Sequence, residues 1–517
     1  MAESDGISGL VAALRHRGVQ LWAQNGELRY QAPRGSIAPG ELARLKAHKN
    51  EILQMLEQAQ QRELTEPVLE PQLRSGPAPL AYSQVAHWNE QHLGERRGVR
   101  AVTATIRLQG RFRVDVFQRC WTELVRRHEA LRTRIRVDGG NLLQEVVPAK
   151  DFLPTIYELR QLCDAERMSE VQRLIKKHLE ETIDVTRDPL FAVWLLRVTG
   201  EDQVLIVAMD HVISDGTSRD ILFREFCLLY RQFSCGLAVE LPPIGVQLAD
   251  FAIWQRRAEP FWYRRSAAYW TDQLLTCPPL LFPRDIEAQS ESGGMGCVPF
   301  QIDGDRLKEL RGWCRANQTT LTMGVMAAYA GFVLRWCEAS EGIIQYEFNG
   351  RFTPVLENTV GYFAFPLYLK MRLGDQDRFV DLARRIIDAY CQAHEHQDFA
   401  LLKARTPQPA FARSTLFNWT TFGPGTDAFE VETADGQLIA TPISFEKEVW
   451  ESEHMEDEPG MSLLEFPDRL PGVVNFPLSR FSLRKMQIFA QEFVRFVYEL
   501  VDNPQYTVKS LPLRRTG

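Results

Sequence analysis

The sequence has 517 residues, more than one ordinary domain needs, and it therefore predicts two or three compact units. Hydrophobic residues make up 45% of the chain and charged residues 25%, which is typical of a globular protein with a buried core. The net charge is only −7, so the composition gives no electrostatic reason to expect nucleic-acid binding.

Membrane insertion and secretion are both disfavoured. The sequence has no apolar run of the roughly 18 residues that a membrane helix needs. Its first residues, MAESDGISGL, lack the basic and apolar segments of a signal peptide. The nine cysteines are scattered, without CxxC pairs or the spacing of metal ligands, which is typical of reduced thiols. We therefore expect a cytoplasmic protein that binds neither membrane nor metal.

Residues 1–60 predict a small helix–hairpin–helix unit. Apolar residues at helical spacing around Leu10 predict a first helix, and a second apolar stripe around Leu45 predicts another. Between them, two short apolar segments flank Asn25-Gly26, a dipeptide that favours a two-residue hairpin turn because both positions adopt positive φ. So small a core could be stabilised by a partner bound along the hairpin edge. The hairpin residues proposed for docking are Val19, Leu21, Trp22, Leu28 and Tyr30.

Beyond a linker at residues 61–78, rich in Gln, Glu and Pro, strands and helices are mixed throughout. The two halves of this part look related, since a strand is followed by a polar turn and a helix both near Val102 and near Val298. The mixture predicts an α/β fold with α+β layers. The predicted strands are Val102–Leu108, Val204–Met209, Val298–Ile302 and Ile343–Phe348, and the predicted helices are Val114–Arg127, Arg306–Arg315, Thr322–Leu334 and a final helix capped by Ser482.

The sharpest local feature is the sequence VLIVAMDHVISDGTS at residues 204–218. It predicts a buried strand that leads directly into His211, and a strand end can hold a side chain rigidly. Histidine takes or gives a proton near neutrality, Asp215 can brace the turn, and Gly216 can adopt a backbone geometry that other residues resist. This arrangement suits deprotonation of an amine or alcohol that attacks a thioester, with the Gly216 N–H open to an oxyanion. The pattern His-x-x-x-Asp alone is weak, and a structural role stays open.

Three other polar features are weaker candidates. The charged stretch 126–132 on helical sequence predicts a solvated or salt-bridged surface. Residues 394–398 contain His394, Glu395, His396 and Asp398 and resemble a metal cluster, but no further ligand is evident elsewhere. Arg351 follows the end of a predicted strand and can present a fixed cation. No Gly-rich phosphate loop is present, so no nucleotide cofactor is expected.

Seven short segments stand out in chain order: LAYSQVAHW (80–88), RRHEALRT (126–133), MDHVISDGTS (209–218), LADFAIWQ (248–255), NGRFTPVLENTVGYFAFPL (349–367), HQDF (396–399) and STLFNW (414–419). Together they resemble the motifs of the condensation domain of nonribosomal peptide synthetases, over about residues 79–510. Each segment alone is a weak match, but their order makes the resemblance specific.

The resemblance implies two chloramphenicol-acetyltransferase-like lobes, residues 79–275 and 276–517, arranged in a V around a central tunnel. It implies that His211 is the catalytic residue and that Asp215 is a structural carboxylate paired with Arg351. The HQD segment then becomes structural rather than metal-binding. The further residues assigned to the reacting carbonyl, the tunnel or structural support are Gly216, Asp210, Ser218 and Asn418.

One departure from the family pattern concerns the first histidine of HHxxxDG, which is Asp210 here. That histidine is usually given a structural role, so activity need not be lost. The segment DHVISDGTS also fits DxxxxDxxS, the signature of the related heterocyclization domains. The retained His211 and the segment STLFNW favour ordinary condensation.

Residues 1–60 are similar to TubC-type N-terminal docking domains, which receive the C-terminal tail of an upstream carrier protein or synthase subunit. The family resemblance implies no cofactor of the protein's own, because substrates arrive on the phosphopantetheine arms of carrier proteins. The acceptor would be a second carrier protein or a free small molecule, and the product an amide or an ester. The layout is similar to standalone condensation enzymes that release polyketide chains in enacyloxin-type assembly lines.

Two alternatives to this acyltransferase hypothesis remain open. A degenerate, non-catalytic platform that recruits carrier proteins would tolerate loss of His211. The second alternative is a heterocyclizing or epimerizing relative, and cyclization would demand a Cys, Ser or Thr acceptor and would release water. The family resemblance implies a monomer.

Overall fold

The computed structural model describes residues 14, 19–24, 27–31, 37, 39–53, 67–92, 102–179, 184–286, 294–397, 414–421, 429–443 and 458–514. These residues form two compact units, a smaller one up to Val68 and a larger one made by most of the chain from Leu69 onward. Among the described helices, none combines the length and the apolar composition that a membrane span requires. All nine cysteines are free.

The smaller unit is built on an antiparallel hairpin and a helix. Strand β1 (Gln20–Gln24) pairs with strand β2 (Glu27–Gln31), and helix α1 (Pro39–Ala47) follows. The predicted hairpin and second helix are confirmed, whereas the turn residues and the first predicted helix, except Leu14, lie outside the described residues. The core of the unit consists of Leu14, Val19, Leu21, Leu45 and Ile52, with Leu28 and Ile37 packed against it.

The larger unit alternates strands and helices along the chain. Its described strands are β3 (Ala78–Pro79), β4 (Val102–Gln109), β5 (Thr133–Asp138), β6 (Asn141–Val146), β7 (Thr155–Glu158), β8 (Phe191–Arg197), β9 (Asp202–Met209), β10 (Met295–Asp303), β11 (Glu341–Phe348), β12 (Phe365–Arg372), β13 (Thr415–Thr421), β14 (Phe429–Thr433), β15 (Gly436–Pro442), β16 (Gly460–Glu465) and β17 (Arg469–Pro477). Its described helices are α2 (Tyr82–His92), α3 (Val114–Arg127), α4 (Asp164–Leu179), α5 (Gly216–Ser234), α6 (Leu248–Leu275), α7 (Gly304–Ala316), α8 (Leu321–Trp336), α9 (Phe379–Glu395) and α10 (Leu483–Asp502).

The first six-stranded sheet has the order β14-β15-β4-β9-β8-β7, and β9 lies near its centre. Every residue of β9 after the first is buried, which explains the uninterrupted apolar sequence of Val204–Met209. Helices α3 and α5 pack together over this sheet, and Trp121 of α3 stacks on Phe226 of α5 with ring centroids 5.6 Å apart. This packing holds the end of β9, and therefore His211, in a rigid layer.

The second six-stranded sheet has the order β10-β17-β16-β13-β11-β12. Helix α8 is buried on nearly all sides, because its apolar sequence lies between other helices and the sheet. Its Phe332 contacts Phe489 and Phe493 of α10 at centroid distances of 4.9 and 5.5 Å. A separate three-stranded sheet has the order β3-β6-β5.

A hairpin from the second half of the chain completes the first sheet. Strand β15 pairs antiparallel with β4, setting Ile439 opposite Gln109, and β14 forms the sheet edge. Gly110 directly follows β4 with a φ of +124°, and a Cβ atom there would lie 2.4 Å from the carbonyl oxygen of Gln437. The close approach of the two strands therefore requires glycine at this position.

The predicted mixture of helix and strand layers is confirmed, and α3 has the predicted bounds Val114–Arg127. The other predicted strands and helices are present, most of them longer than predicted. Ser482 caps α10 by accepting a hydrogen bond from the backbone N–H of Lys485. The V arrangement, the tunnel and the lobe boundaries at residues 275 and 276 stay predictions.

Candidate functional site

His211 begins a short turn directly after β9, and Asp210 caps this turn. The backbone N–H of Val212 donates to Oδ1 of Asp210 at 2.8 Å, and the hydroxyl of Ser214 donates to the Asp210 carbonyl oxygen at 2.9 Å. Nδ1 of His211 lies 3.2 Å from the carbonyl oxygen of Ser214. A carbonyl oxygen only accepts, so this contact favours the proton on Nδ1 and leaves Nε2 of the neutral ring as a free acceptor. The half-buried imidazole is thus oriented as a base.

Asp215 is buried at the start of α5 and is saturated with hydrogen bonds. Arg351 donates to both carboxylate oxygens, at 2.8 and 3.0 Å, so the ion pair expected from the sequence is present. Ser218 donates through its backbone N–H and its hydroxyl, each at 2.8 Å, and the Phe363 N–H donates at 3.1 Å. Burial alone would raise the pKa of Asp215, but Arg351 and Ser218 outweigh burial and lower it. Asp215 is therefore a fixed anion that braces the turn.

The segment that carries Arg351 is held close to Phe363. Gly350 has a φ of +68°, and a Cβ atom there would lie 2.0 Å from the carbonyl oxygen of Phe363. The guanidinium carbon of Arg351 lies 4.7 Å from the centroid of the Phe363 ring. Ser218 extends the same network, because its hydroxyl contacts the carbonyl oxygen of Gly361 at 2.9 Å. Ser218 and Arg351 thus support the site structurally.

Gly216 is the first residue of α5 and is exposed. Its φ is not positive, so the expectation that it supplies a backbone geometry other residues resist is wrong. A Cβ atom built on Gly216 would meet no heavy atom within 4 Å. The glycine instead leaves open space at the N-terminus of α5, and the dipole of a helix favours negative charge at this end.

Two residues of this site were not singled out by the sequence. His87 of α2 is buried, and its ring meets that of His211 edge to face with centroids 5.5 Å apart. Tyr362 contacts both imidazoles, at centroid distances of 5.5 Å to His87 and 5.3 Å to His211. Nε2 of His87 lies 3.9 Å from Oδ1 of Asp210. The segment 80–88 contains His87, but a single histidine on a helix gives no signal of its tertiary neighbours.

Helix α2 is anchored to both sides of this ring cluster. Nε2 of Gln84 donates to the carbonyl oxygen of Val212 at 2.6 Å, next to His211 in sequence. The hydroxyl of Ser83 donates to the carbonyl oxygen of Tyr362 at 2.6 Å. Polar residues of segment 80–88 therefore fix the relative positions of the three rings.

Asn418 lies elsewhere, on β13 of the second sheet. It is half-buried and pairs in register with Ser462 of β16. It does not belong to the cluster formed by His211, His87 and Tyr362, and its predicted position in a tunnel stays a prediction.

The sequence predicts a solvated or salt-bridged surface for the stretch 126–132, and the structure shows ion pairs, of which the one at His128 is buried. His128 and Glu225 are both fully buried, with Nε2 2.8 Å from Oε2. Nε of Arg127 lies 2.9 Å from the same carboxylate oxygen. Burial would raise the pKa of Glu225, but His128 and Arg127 lower it. The part of the stretch around His128 is a buried ionic cluster, because Glu225 lies on α5 in the core, whereas Arg126 is 65% exposed.

The segment 394–398 has a structural environment. The imidazole of His396 stacks on Tyr269 at 4.2 Å, its Nδ1 lies 3.1 Å from the Ser266 hydroxyl, and its carbonyl oxygen accepts from Trp270. His394 packs between aromatic rings, and burial lowers its pKa. Asp398 lies outside the described residues, and within them no group of three or more potential metal ligands occurs.

Four of the hairpin residues proposed for docking have described side chains, and these differ in burial. Val19 and Leu21 are buried and Leu28 packs against them, so these three stabilise the small unit itself. Tyr30 is 49% exposed and is available to a partner. Trp22 lies on β1 opposite Arg29.

Comparison with family models gives two matches. Residues 75–516 match a family described as the condensation domain. Residues 7–58 match a family described as the TubC N-terminal docking domain.

Similar curated proteins are much longer than this chain. A component of the linear gramicidin synthase of Brevibacillus parabrevis is 27% identical over 484 residues, which are 90% of this chain and 9% of that protein. Enniatin synthase of Fusarium equiseti is 26% identical over 452 residues, covering 85% of this chain and 14% of that protein. The chain therefore spans only a small fraction of these relatives.

Similar solved structures share the fold at low sequence identity. The X-domain in its complex with OxyB from teicoplanin biosynthesis has a TM-score of 0.71 at 20% identity, covering 87% of this chain and 98% of its own. The cyclization–docking bidomain EpoB of Sorangium cellulosum has a TM-score of 0.65 at 20% identity, covering 98% of this chain and 100% of its own.

Proposed function

The chain belongs to the condensation domain family and carries a TubC N-terminal docking domain, and from this premise we propose that it joins a carrier-bound acyl thioester to an amine or alcohol. The observation that carries the proposal is the orientation of His211. Its Nδ1 is engaged by the Ser214 carbonyl oxygen at 3.2 Å, which leaves Nε2 free to accept a proton. The open space at Gly216 provides room for a substrate beside the same turn.

The reaction that this geometry supports is acyl transfer assisted by a base. The nitrogen or oxygen of the nucleophile attacks the thioester carbonyl carbon while Nε2 of His211 takes its proton. The C–S bond then breaks, and the proton passes from His211 to the departing pantetheine thiolate. The products are an amide or ester and a free pantetheine thiol, and the imidazole is neutral again.

Charge that develops on the carbonyl oxygen needs stabilisation as the nucleophile adds. The N-terminus of α5 supplies N–H groups and a favourable dipole at Gly216. The ion pair of Asp215 and Arg351 keeps this helix start fixed relative to the His211 turn. Asp215 itself does not act as a base, because both of its oxygens are engaged.

Partner proteins would bring the donor substrate. The chain would use no cofactor of its own, since the acyl group arrives on the phosphopantetheine arm of an upstream carrier protein. The docking domain would receive the C-terminal tail of that carrier or synthase subunit by β-augmentation at the hairpin, with Tyr30 exposed for contact. Tethering raises the effective concentration of the carrier, so even weak docking suffices. We place the reaction in the cytoplasm, with a monomeric enzyme acting in trans.

The acceptor distinguishes two forms of the reaction. A second carrier protein would keep the product on the assembly line, whereas a free amine or alcohol would release it as an amide or ester. We propose release onto a free acceptor, as in the enacyloxin-type layout that the sequence resembles.

A second candidate function is a non-catalytic platform that recruits other proteins. Asp210 at the first position of the HHxxxDG motif favours it, since a degenerate motif is expected of a domain without activity. The X-domain is known in complex with OxyB, and it shares this fold at 20% identity.

Heterocyclization would require loss of water after condensation with a Cys, Ser or Thr acceptor.

The test is intact-protein mass spectrometry of a carrier protein loaded with an octanoyl-phosphopantetheine arm. The carrier is incubated with a panel of amines, alcohols and cysteine, and with wild type, His211→Ala or the control His178→Gln. His178 is a buried histidine on α4 that stacks on Trp194. We expect wild type and control to remove the acyl mass and form product, and His211→Ala to be at least about 100-fold slower.

Each other outcome points to a different function. Carrier binding without acyl loss by any variant supports the platform. Equal off-loading by wild type and His211→Ala rejects His211 as the base. A cysteine product that has lost water supports heterocyclization.

A further inference from the structure

Asp210 places a carboxylate where the condensation motif HHxxxDG has its first histidine. The side chain is 2% exposed and directly precedes His211. Its own turn provides the hydrogen bond from the Val212 N–H, at 2.8 Å, which is a neutral donor. A buried carboxylate beside a base raises the pKa of that base unless an opposing charge balances it.

The structure provides an opposing group from a different helix. His87 of α2 is 6% exposed, and its Nε2 lies 3.9 Å from Oδ1 of Asp210. At this separation, and out of water, an imidazolium and a carboxylate attract each other strongly. Position 210 has no imidazole in this chain, but His87 places one beside the Asp210 carboxylate.

The same imidazole contacts the ring of His211. The two rings meet edge to face at 5.5 Å with an interplanar angle of 62°, and Tyr362 closes the cluster against both. His87 therefore touches both the carboxylate and the base, and its loss would change the charge and the packing around His211 together.

We propose that His87 and Asp210 form a charge pair that positions His211 and balances the charge beside it. This inference rests on the proposed acyl transfer, in which His211 must alternate between neutral and protonated rings. His87 is a positioning residue here, because it acts on the reaction through His211.

If the two residues form a charge pair, substitutions of Asp210 and of His87 should shift the pKa of His211 in opposite directions. Asp210→Asn keeps the acceptor for the Val212 N–H but removes the negative charge, so it should lower the pKa of His211. His87→Gln keeps a donor near the Nε2 position but removes the positive charge, so it should raise that pKa. The double variant should return towards wild type. An ordinary packing role would give no such reversal of sign.

Two further groups near His211 within the described part of the chain do not produce this pattern. Tyr362 faces the ring from the segment before β12, and it is unchanged in all the variants. Asp215, from the turn that follows His211, is engaged by Arg351 at 2.8 Å. The difference between the two single variants therefore reports on His87 and Asp210.

The experiment follows single-turnover loss of the octanoyl group from the loaded carrier across pH. Wild type, Asp210→Asn, His87→Gln, the double variant and the control His178→Gln are compared, after thermal unfolding has confirmed that each is folded. We expect the acidic limb of the rate profile to move down by about one pH unit in Asp210→Asn and up by about one in His87→Gln. The control should match wild type.

A substrate-free measurement separates this inference from the proposed function. Titration of isotopically labelled histidine by NMR, with His211→Gln to assign its resonance, reports the pKa of His211 without any carrier protein. Opposite shifts in the two variants would support the charge pair even if no acyl transfer occurs. Shifts of the same sign, or no shift in either variant, would overturn it whether or not the enzyme is active.

Discussion

Arg351 meets Asp215 in a two-point ion pair, with Nη1 2.8 Å from one carboxylate oxygen and Nη2 3.0 Å from the other. The two residues are 136 positions apart in the sequence, and their side chains are only 4% and 3% exposed. The pair therefore joins the start of α5 to the segment after β11, next to His211. A buried pair of this kind fixes geometry more reliably than it adds net stability.

Removal of one member of the Asp215–Arg351 ion pair should lower the free energy of unfolding more than removal of both. Arg351→Gln leaves the Asp215 carboxylate buried without its counter-ion, and we expect a loss of about 3–5 kcal/mol in the free energy of unfolding. Asp215→Asn/Arg351→Gln leaves no uncompensated charge and should recover part of this loss. Urea denaturation of wild type, both single variants and the double variant measures the coupling. Strictly additive losses would show that the two side chains do not depend on each other.

The low pKa of Asp215 also predicts acid sensitivity. Because the folded pKa lies below the unfolded value of about 3.9, the carboxylate contributes stability above pH 4. This contribution is lost as the pH falls through the folded pKa. Asp215→Asn should therefore show a flatter dependence of unfolding free energy on pH below about 4 than wild type.

A surface aspartate provides the control for this measurement. Asp115 pairs with Arg113, but its side chain is 63% exposed. Asp115→Asn should change the acid dependence much less, because solvent screens an exposed pair. If both variants flatten the curve equally, burial of the Asp215 pair is not the cause.

Elements with a strong local pattern were predictable from the sequence. Helix α3 has a regular apolar face, and the structure gives it the predicted bounds Val114–Arg127. Strand β9 contains the continuous apolar run Val204–Met209 because both of its faces are buried. The pairing of Asp215 with Arg351 could not be predicted from local patterns. It was predicted from the family resemblance, which the order of the seven motif segments made specific.

Features created by distant contacts were not predictable. The hairpin β14–β15 joins the first sheet through β4, which comes from the opposite end of the larger unit. His128 looks like a surface residue until Glu225, 97 positions away, is placed beside it. Likewise, His87 can be assigned to the site only once its contacts with Asp210 and His211 are known. One sequence carries no local signal for such pairs.

Gly350 should tolerate no side chain. Its φ of +68° is unfavourable for alanine, and a Cβ atom would collide with the Phe363 carbonyl oxygen at 2.0 Å. We expect Gly350→Ala to cost at least about 2 kcal/mol in unfolding free energy. Gly236→Ala isolates the backbone effect, because Gly236 has a φ of +65° with open space around it, and it should cost about 1 kcal/mol. Equal losses in urea denaturation would mean that the segment moves away from the added methyl group.

Substitution of Gly216 should have the opposite effect to substitution of Gly350: it should lower the activity and leave the stability unchanged. A Cβ atom at this position meets nothing within 4 Å, so we expect Gly216→Ala and Gly216→Leu to unfold within about 0.5 kcal/mol of wild type. If the carbonyl of the thioester lies at the N-terminus of α5, the added atoms occupy its place. We expect kcat/KM for transfer from the octanoyl carrier to fall about tenfold for alanine and further for leucine. Gly200→Leu, in an exposed turn with similar open space, is the matched control and should keep full activity. Full activity of Gly216→Leu would place the reacting carbonyl away from this helix and leave His211 without the oxyanion partner that the proposal gives it.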